Sequence, residues 1–154
     1  MRILLAVDGS EFSFAAARKC CEMIRIDENT EVRIVSVIET ITPAEPFGMS
    51  DEYLAIAQKA ARGVAEQTLE DTRQTMYKLL SDIDLDIETR SIEGKPKEAI
   101  LDEAKKWEAD LIVLGSQGRG FWGRMLLGSV SSAVVKYAPC SVLVVRTEAA
   151  GNEK

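Results

Sequence analysis

The chain has 154 residues, of which 46% are hydrophobic and 29% charged, so it has the size and composition of one globular domain. It contains no histidine, which excludes Ser-His-Asp and Cys-His nucleophile pairs, HExxH metal sites and imidazole proton relays. The formal net charge of −6 argues against binding of DNA or RNA through the phosphate backbone, so we expect no nucleic-acid partner.

Five short runs of apolar or β-branched residues predict five strands. The runs at 3–7, 111–114 and 142–145 are continuous, which is typical of strands covered on both faces in a parallel sheet. The run at 32–38 is rich in β-branched residues, and 85–90 alternates polar with apolar residues, as a half-exposed edge strand does.

Helical spacing of apolar residues predicts a helix in each intervening stretch, at 13–25, 50–81, 96–107 and 129–137. The alternation of strands and helices predicts an α/β fold, a three-layer, Rossmann-like, doubly wound sheet of parallel strands with helices on both faces. We expect one domain over residues 1–147, followed by a short polar tail at 148–154. In such sheets ligands bind beyond the carboxyl ends of the strands, so the candidate site lies in the segments that follow them.

The cysteines predict a reducing compartment. Cys20, Cys21 and Cys140 are odd in number and have no CxxC spacing, so we interpret them as reduced, small apolar residues. The first apolar run meets Asp8 after five residues, too short for a secretory signal, and no run in the sequence has transmembrane length. We therefore expect a cytoplasmic protein without a membrane partner.

Two strand ends carry candidate ligand contacts that also have plain structural interpretations. Asp8, after the first strand, can accept hydrogen bonds from a ribose hydroxyl or an exocyclic amine, and it equally suits a turn or a helix cap before Gly9. The stretch Ser36-Val37-Ile38, at the end of the second strand, can flank a base, although by itself it is typical of the core.

The strongest candidate site follows the fourth strand. Five of the ten glycines of the chain lie between positions 115 and 128, and the stretch ends in Gly128-Ser129-Val130-Ser131-Ser132, which begins a helix. Glycine permits positive φ and a close approach of backbone N–H groups to an anion, and a helix N-terminus supplies unpaired N–H donors. The hydroxyls of Ser129 and Ser131 can both reach phosphate oxygens.

The local charge agrees with an anion site in this stretch. Residues 111–147 contain no Asp or Glu, whereas Arg119, Arg124, Lys136 and Arg146 add four positive charges. Glycines, helix start and charge coincide, which favours phosphate binding over the alternative, a surface loop followed by a serine-capped helix.

Other nucleotide motifs are missing. The sequence contains no GxxxxGK[ST], and the turn after the first strand, Asp8-Gly9-Ser10-Glu11, has no GxGxxG. The sequence therefore predicts neither a Walker-type NTPase nor an ordinary NAD-binding Rossmann domain.

At this point the residues carry a family resemblance. The spacing Gly115-x2-Gly118-x9-Gly128-Ser129 resembles the ATP-binding signature of the universal stress protein family. The flanking segments 6–10, 110–115 and 138–145 resemble the family as well, so that the likeness covers essentially the whole chain. The resemblance implies strand order 3-2-1-4-5, a homodimer, and ATP or a related adenine nucleotide as ligand, with Mg²⁺ bound only through the nucleotide.

The resemblance also implies a set of ligand contacts. It puts Asp8 and Val37 at the adenine, Gly115 and Gly118 near the ribose and phosphates, and the start of the last helix at the phosphates. Many members have histidine where this chain has Gln117, so any role of an imidazole is lost here. The predicted nucleotide-contacting residues are Ala6, Val7, Asp8, Val37, Gly115, Gln117, Gly118, Arg119, Gly128, Ser129, Val130 and Ser131.

The final strand predicts a contact between subunits. Residues 141–145 are apolar on both faces, yet the implied strand order leaves them at the edge of the sheet, whereas Asp86, Glu88 and Arg90 protect the other edge with charge. The economical explanation is pairing with the same strand of a second subunit about a two-fold axis.

Three classes of function remain open from the sequence. The first is a stress-response or regulatory module whose nucleotide-bound state is the signal, the second is a slow Mg²⁺-dependent nucleotide hydrolase, and the third is a dimeric interaction protein without a nucleotide. The absence of histidine and of a recognisable catalytic constellation argues against an enzyme, although water and a nucleotide-bound cation can support weak hydrolysis without a protein base.

Overall fold

Five parallel strands form one sheet in the computed structural model, which describes residues 1–40, 51–118 and 127–146. The order across the sheet is β3-β2-β1-β4-β5, as the resemblance implied, and the doubly wound fold class is confirmed. The strands are β1 Arg2–Ala6, β2 Glu31–Ile38, β3 Ile87–Glu93, β4 Leu111–Gly115 and β5 Ser141–Val145.

Four helices connect these strands, and local chemistry sets their ends. They are α1 Glu11–Met23, α2 Asp51–Leu79, α3 Pro96–Lys106 and α4 Ser129–Tyr137. The helix α1 begins two residues before the predicted start because Ser10 is its N-cap, and the Ser10 side chain accepts a hydrogen bond from the backbone of Ser13. Pro96 occupies the first turn of α3, as predicted.

The strand β3 differs from its predicted bounds of 85–90. It begins at Ile87, the partner of Val32, and continues to Glu93, the partner of Ile38, because it pairs with almost the whole of β2. Leu85 is buried in the core but precedes the strand. Residues 41–50, which include the predicted start of the second helix, lie outside the described residues, and so do most of the glycine-rich loop and the tail.

The sheet carries a separate hydrophobic core on each face. Alternating residues of the strands point to opposite faces, so neighbours such as Ile34 and Val35 belong to different cores. The core under α1 and α2 includes Ile3, Leu5, Val7, Ala16, Cys20, Val32, Ile34, Leu69, Met76 and Val113. The core under α3 and α4 includes Leu4, Ala6, Val35, Ile100, Ala104, Ile112, Leu114 and Val134.

The three cysteines are free thiols, as predicted. Burial raises the pKa of the Cys20 thiol to about 12 and that of the Cys21 thiol to about 11, so both stay protonated at neutral pH. In the described part of the chain no helix has the length and apolar character needed to span a bilayer.

Candidate functional site

A cavity of about 690 Å³ lies at the carboxyl ends of β1, β2 and β4, within the range of about 300–1,000 Å³ that is usual for small-molecule sites. It brings together eleven of the twelve predicted ligand contacts, and the twelfth, Arg119, lies outside the described residues. The eleven are Ala6, Val7, Asp8, Val37, Gly115, Gln117, Gly118, Gly128, Ser129, Val130 and Ser131.

Unequal strand lengths expose backbone groups to this cavity. The strand β1 ends at Ala6, opposite Val35, whereas β2 continues to Ile38. Val7 donates its backbone N–H to the carbonyl of Val35 at 2.9 Å, and Gly94 donates to the carbonyl of Ile38 at 3.0 Å. Since backbone groups alternate between the two neighbours of a strand, the N–H and C=O of Val37 point to the side that β1 has left. One donor and one acceptor therefore face the cavity.

Asp8 lies two residues after the carboxyl end of β1 and takes part in a turn. Its Oδ1 accepts hydrogen bonds from the backbone N–H of Ser10 at 3.0 Å and from the Ser10 hydroxyl at 2.6 Å. Its Oδ2 lies beside Gly118, where an added Cβ would come within 2.8 Å of that oxygen. The turn interpretation of Asp8 thus describes one carboxylate oxygen, while the other meets the glycine segment that follows β4.

The glycines of this segment are needed for close packing. At Gly115 an added Cβ would lie 2.8 Å from the carbonyl carbon and oxygen of Phe12, so the absence of a side chain lets α1 pack against the end of β4. The positive φ expected at Gly118 and Gly128 is wrong, because the described glycines with positive φ are Gly9 and Gly94.

The N-terminus of α4 presents unpaired donors to the cavity. Gly128 is the N-cap residue, and no side chain caps the helix within the described ranges. The first N–H to reach back along the helix is that of Ser132, which donates to the carbonyl of Gly128 at 2.9 Å. The N–H groups of Ser129, Val130 and Ser131 consequently have no acceptor within the helix, and no acidic residue stands in the first turn. This end of the cavity can hold an anion.

The two serines of the first turn differ. The Ser131 hydroxyl is buried and donates to the carbonyl of Gly115 at 2.9 Å, so it ties α4 to the end of β4. Ser129 is exposed at the cavity wall, and its hydroxyl has no partner within the described ranges. Of the two hydroxyls, that of Ser129 is the one available to an anion, while Ser131 offers its N–H.

Charge is distributed unevenly around the cavity. The carboxylates of Asp8 and Glu39 line it, and the positive end of α4 lies at another part of its wall. The lining residues that the structure describes include no Lys or Arg, and its described residues contain no group of three or more His, Cys, Asp or Glu placed to hold a metal. The arrangement suits a ligand with an anionic group at one end and hydrogen-bond donors at the other.

Sequence reasoning missed the helical walls of the cavity. Ala61, Val64 and Ala65 of α2 belong to the apolar residues whose spacing predicted this helix and gave no sign of a ligand, and Ile100 is a core position of α3. The position of Pro96 at a helix start directly after a strand was a usable signal for that wall. Ser36 and Ile38 belong to the strand end that was expected to flank a base; the missed lining residues are Ser13, Val35, Glu39, Ala61, Val64, Ala65, Pro96, Ile100 and Leu114.

Comparison with known proteins gives a consistent result. The model of the universal stress protein family matches residues 1–146. A relative in Staphylococcus haemolyticus, named as a member of that family, is 33% identical over 147 residues, with 95% of this chain and 84% of the relative covered. The structure of universal stress protein UspA from Lactobacillus plantarum is 29% identical with a TM-score of 0.79, over 95% of this chain and 97% of that one.

A more distant structure resembles the fold and carries a ligand of its own. A universal stress protein family protein from Arabidopsis thaliana, solved with AMP bound, has a TM-score of 0.68 at 20% identity, over 97% of this chain and 93% of that one. At this identity the likeness concerns the fold alone.

Proposed function

The chain belongs to the universal stress protein family, and from the cavity at the carboxyl ends of its strands we propose that it binds an adenine nucleotide as a stress-response or regulatory module. The observation that carries this proposal is the pairing of two features in one cavity. An open backbone donor and acceptor at Val37 face it, and so does the uncapped N-terminus of α4.

The wall around Val37 suits the base. Adenine presents an acceptor at N1 beside a donor at N6, which complements one backbone N–H and one backbone C=O. Apolar side chains on the α3 and α4 side of the sheet, Val35, Ile100 and Leu114, supply surfaces for the ring faces. Asp8 lies close enough to the end of β4 to accept a hydrogen bond from a ribose hydroxyl.

The start of α4 suits the phosphates. The N–H groups of Ser129, Val130 and Ser131 and the hydroxyl of Ser129 would donate to phosphate oxygens, aided by the helix dipole. Arg119 is proposed as a further phosphate contact on its position in the sequence alone. A Mg²⁺ ion, when present, would be held by the phosphates of ATP and would offset their charge. The AMP seen in the Arabidopsis family member supports a nucleotide of this class.

Binding with and without turnover can be separated directly. Equilibrium dialysis should give saturable binding of AMP or ATP at one molecule per chain, with GMP bound at least tenfold more weakly because guanine reverses the donor and acceptor at Val37. Phosphate release from ATP and Mg²⁺ should stay near the rate without protein. Equal affinity for AMP and GMP would contradict the assignment of Val37, and multiple turnovers of ATP would favour the hydrolase instead.

We also propose a homodimer that pairs β5 with its copy. The outer edge of β3 carries Glu88 and Arg90, whose side chains pair with Arg33 and Glu103. The edge strand β5 has no charged residue, and its Val142, Leu143 and Val144 are only half-buried. An apolar strand at an edge needs a cover, and a second copy of the strand provides one.

The dimer is tested by a charge placed in that edge. Val144→Lys should give monomers by light scattering at micromolar concentration, whereas Ile56→Lys, which replaces an exposed apolar residue of α2, should leave the dimer intact. A wild-type protein that is monomeric at this concentration would contradict the proposal.

The cysteines support a place in the cytoplasm. All three thiols are free, and Cys20 and Cys21 are protonated at neutral pH, which suits a compartment that keeps thiols reduced.

A further inference from the structure

The cavity continues onto the opposite face of the sheet from the proposed base site. Along β2, Val32 and Ile34 pack under α1 and α2, whereas Val35 packs under α3 and α4. Because side chains alternate along a strand, Ser36 and Ile38 face α1 and α2. We call this part of the cavity the α1/α2 chamber; its lining residues are Ser13, Ser36, Ile38, Ala61, Val64 and Ala65.

Ser36 carries a buried hydroxyl that lacks a partner. The residue is 4% exposed, and no hydrogen bond to its Oγ exists in the part of the chain that the structure describes. The other buried serines of the cavity, Ser13 and Ser131, donate to backbone carbonyls at 2.9 Å. A buried hydroxyl without a partner costs free energy, so this position favours a ligand that completes its hydrogen bonds.

The Ser36 oxygen is open to the chamber. Among the described residues, Arg73 Nε is the one fully enclosed side-chain nitrogen or oxygen without a partner. Since Ser36 Oγ has no partner either, it keeps accessible surface, and Ser36 lies on the wall of the cavity. The unpartnered hydroxyl therefore points into the chamber.

The rest of the chamber is almost entirely apolar. Ala61, Val64 and Ala65 follow one another along α2, and Ile38 faces them from the sheet. Val64 is 46% exposed, and the first buried residue of α2 is Ala65, so the part of the helix before Ala65 remains accessible to solvent. The chamber thus has an apolar wall that is partly open to solvent and, deep inside, one hydroxyl without a partner among the described residues, since Ser13 already donates to the carbonyl of Ser10.

From this geometry we propose that the α1/α2 chamber binds a small uncharged molecule that is mostly apolar and carries one hydrogen-bonding oxygen. The apolar part packs against α2 and Ile38, and the oxygen pairs with the Ser36 hydroxyl. The proposal does not depend on the nucleotide, which would occupy the other face of the sheet and the start of α4. Both molecules can be bound at once.

Phenol and toluene test the proposal, because they share one shape and differ by a hydroxyl in place of a methyl group. Titration of each into the full-length protein is followed by the amide NMR signals of Ser36 and Ala65. We expect saturable shifts with phenol, and an affinity for phenol about two- to tenfold above that for toluene, the ratio of one neutral hydrogen bond. In Ser36→Ala the preference for phenol should disappear or reverse, because a phenol hydroxyl left without a partner costs free energy.

A matched pair of alanines locates the site. Ala61→Phe fills the chamber and should abolish the phenol shifts, whereas Ala60→Phe, on the exposed side of α2, should retain them. Saturating AMP should leave the phenol affinity within twofold. Equal affinities for phenol and toluene in the wild type, an unaltered preference in Ser36→Ala, or displacement of phenol by AMP would each overturn the proposal. AMP titrated without phenol reports on the nucleotide site separately.

Discussion

The two ends of the sheet use the same five strands but treat their polar groups in opposite ways. At the amino end, the terminal ammonium of Met1 donates to the carbonyl of Asn29 at 3.0 Å, and the backbone N–H of Arg2 donates to Asp110 Oδ2 at 2.7 Å. Backbone bonds from Glu31 to Met1 and from Asp110 to Arg2, each 2.9 Å, complete this end. At the carboxyl end, β2 extends beyond β1, and no side chain among the described residues caps the first turn of α4.

The difference separates stability from ligand binding. Polar groups that are paired within the chain stabilise the fold, whereas polar groups left without partners around a cavity are available to a ligand. Substitutions at the amino end should therefore change the free energy of unfolding, and those at the carboxyl end should change affinity. Gly115 is the expected exception, because it lies at the carboxyl end but serves packing.

The largest effect is expected at that exception. Gly115→Ala places a Cβ 2.8 Å from the Phe12 backbone and should lower the free energy of unfolding by about 3 kcal/mol, the upper part of the usual range for overpacking. Gly63→Ala is the matched control, since an added Cβ there meets nothing within 4 Å and should stabilise α2 by about 0.5–1 kcal/mol. Urea denaturation measures both, and an unchanged midpoint in Gly115→Ala would contradict the packing account.

The next effect concerns the start of α4. Ser129→Ala should weaken nucleotide binding by about 2 kcal/mol, the value of one hydrogen bond to a charged group, with little change in stability. Ser132 also belongs to α4 but does not line the cavity, so Ser132→Ala should bind the nucleotide as the wild type does. Calorimetric titration of both variants decides this, and equal losses would show that the effect is not specific to the cavity.

Two aspartates sharpen the comparison between the ends, because each accepts a hydrogen bond from a backbone N–H. Asp110→Ala should cost about 1 kcal/mol of unfolding free energy and leave nucleotide affinity unchanged. Asp8→Ala should lower the affinity for the nucleotide and leave the melting temperature nearly unchanged. Should Asp8→Ala melt far lower yet bind normally, its turn would be its whole role.

The smallest effect is a gain in stability behind α3. Glu108 has φ of 52°, a left-handed conformation that a side chain disfavours, just past the end of the helix. Glu108→Gly should stabilise the fold by about 0.5–1 kcal/mol, because glycine adopts this left-handed conformation without strain. The ion pair with Arg2 that the substitution removes is long and exposed, so its loss costs little. Gly94→Ala, which imposes a side chain at φ of 141°, should destabilise it in the same thermal melts.

Sequence patterns predicted the elements well where one element determines its own structure. The apolar run of β4 and the serine-rich start of α4 were placed within a residue, since their signals are local. The bounds of β3 were wrong because its length follows from β2, its partner. The strand order came from the family resemblance.

The candidate site, like the secondary structure, was predictable where the signal is local in the sequence. Residues that follow strands could be assigned to the cavity from the fold class, which accounts for Asp8 and Gly118. The roles of Gly115 and Ser36 could not, because they depend on Phe12 packing from α1 and on the apolar wall of α2, both distant in sequence.

The most direct test of the account is calorimetric titration of AMP into the wild type and Gly118→Val. A Cβ at Gly118 meets Asp8 Oδ2 at 2.8 Å, at the carboxyl end and away from both hydrophobic cores. We expect one AMP per wild-type chain, and an affinity at least tenfold lower in Gly118→Val with a nearly unchanged melting temperature. Equal AMP affinity in the two proteins, or no binding by the wild type, would contradict a nucleotide site at this end of the sheet.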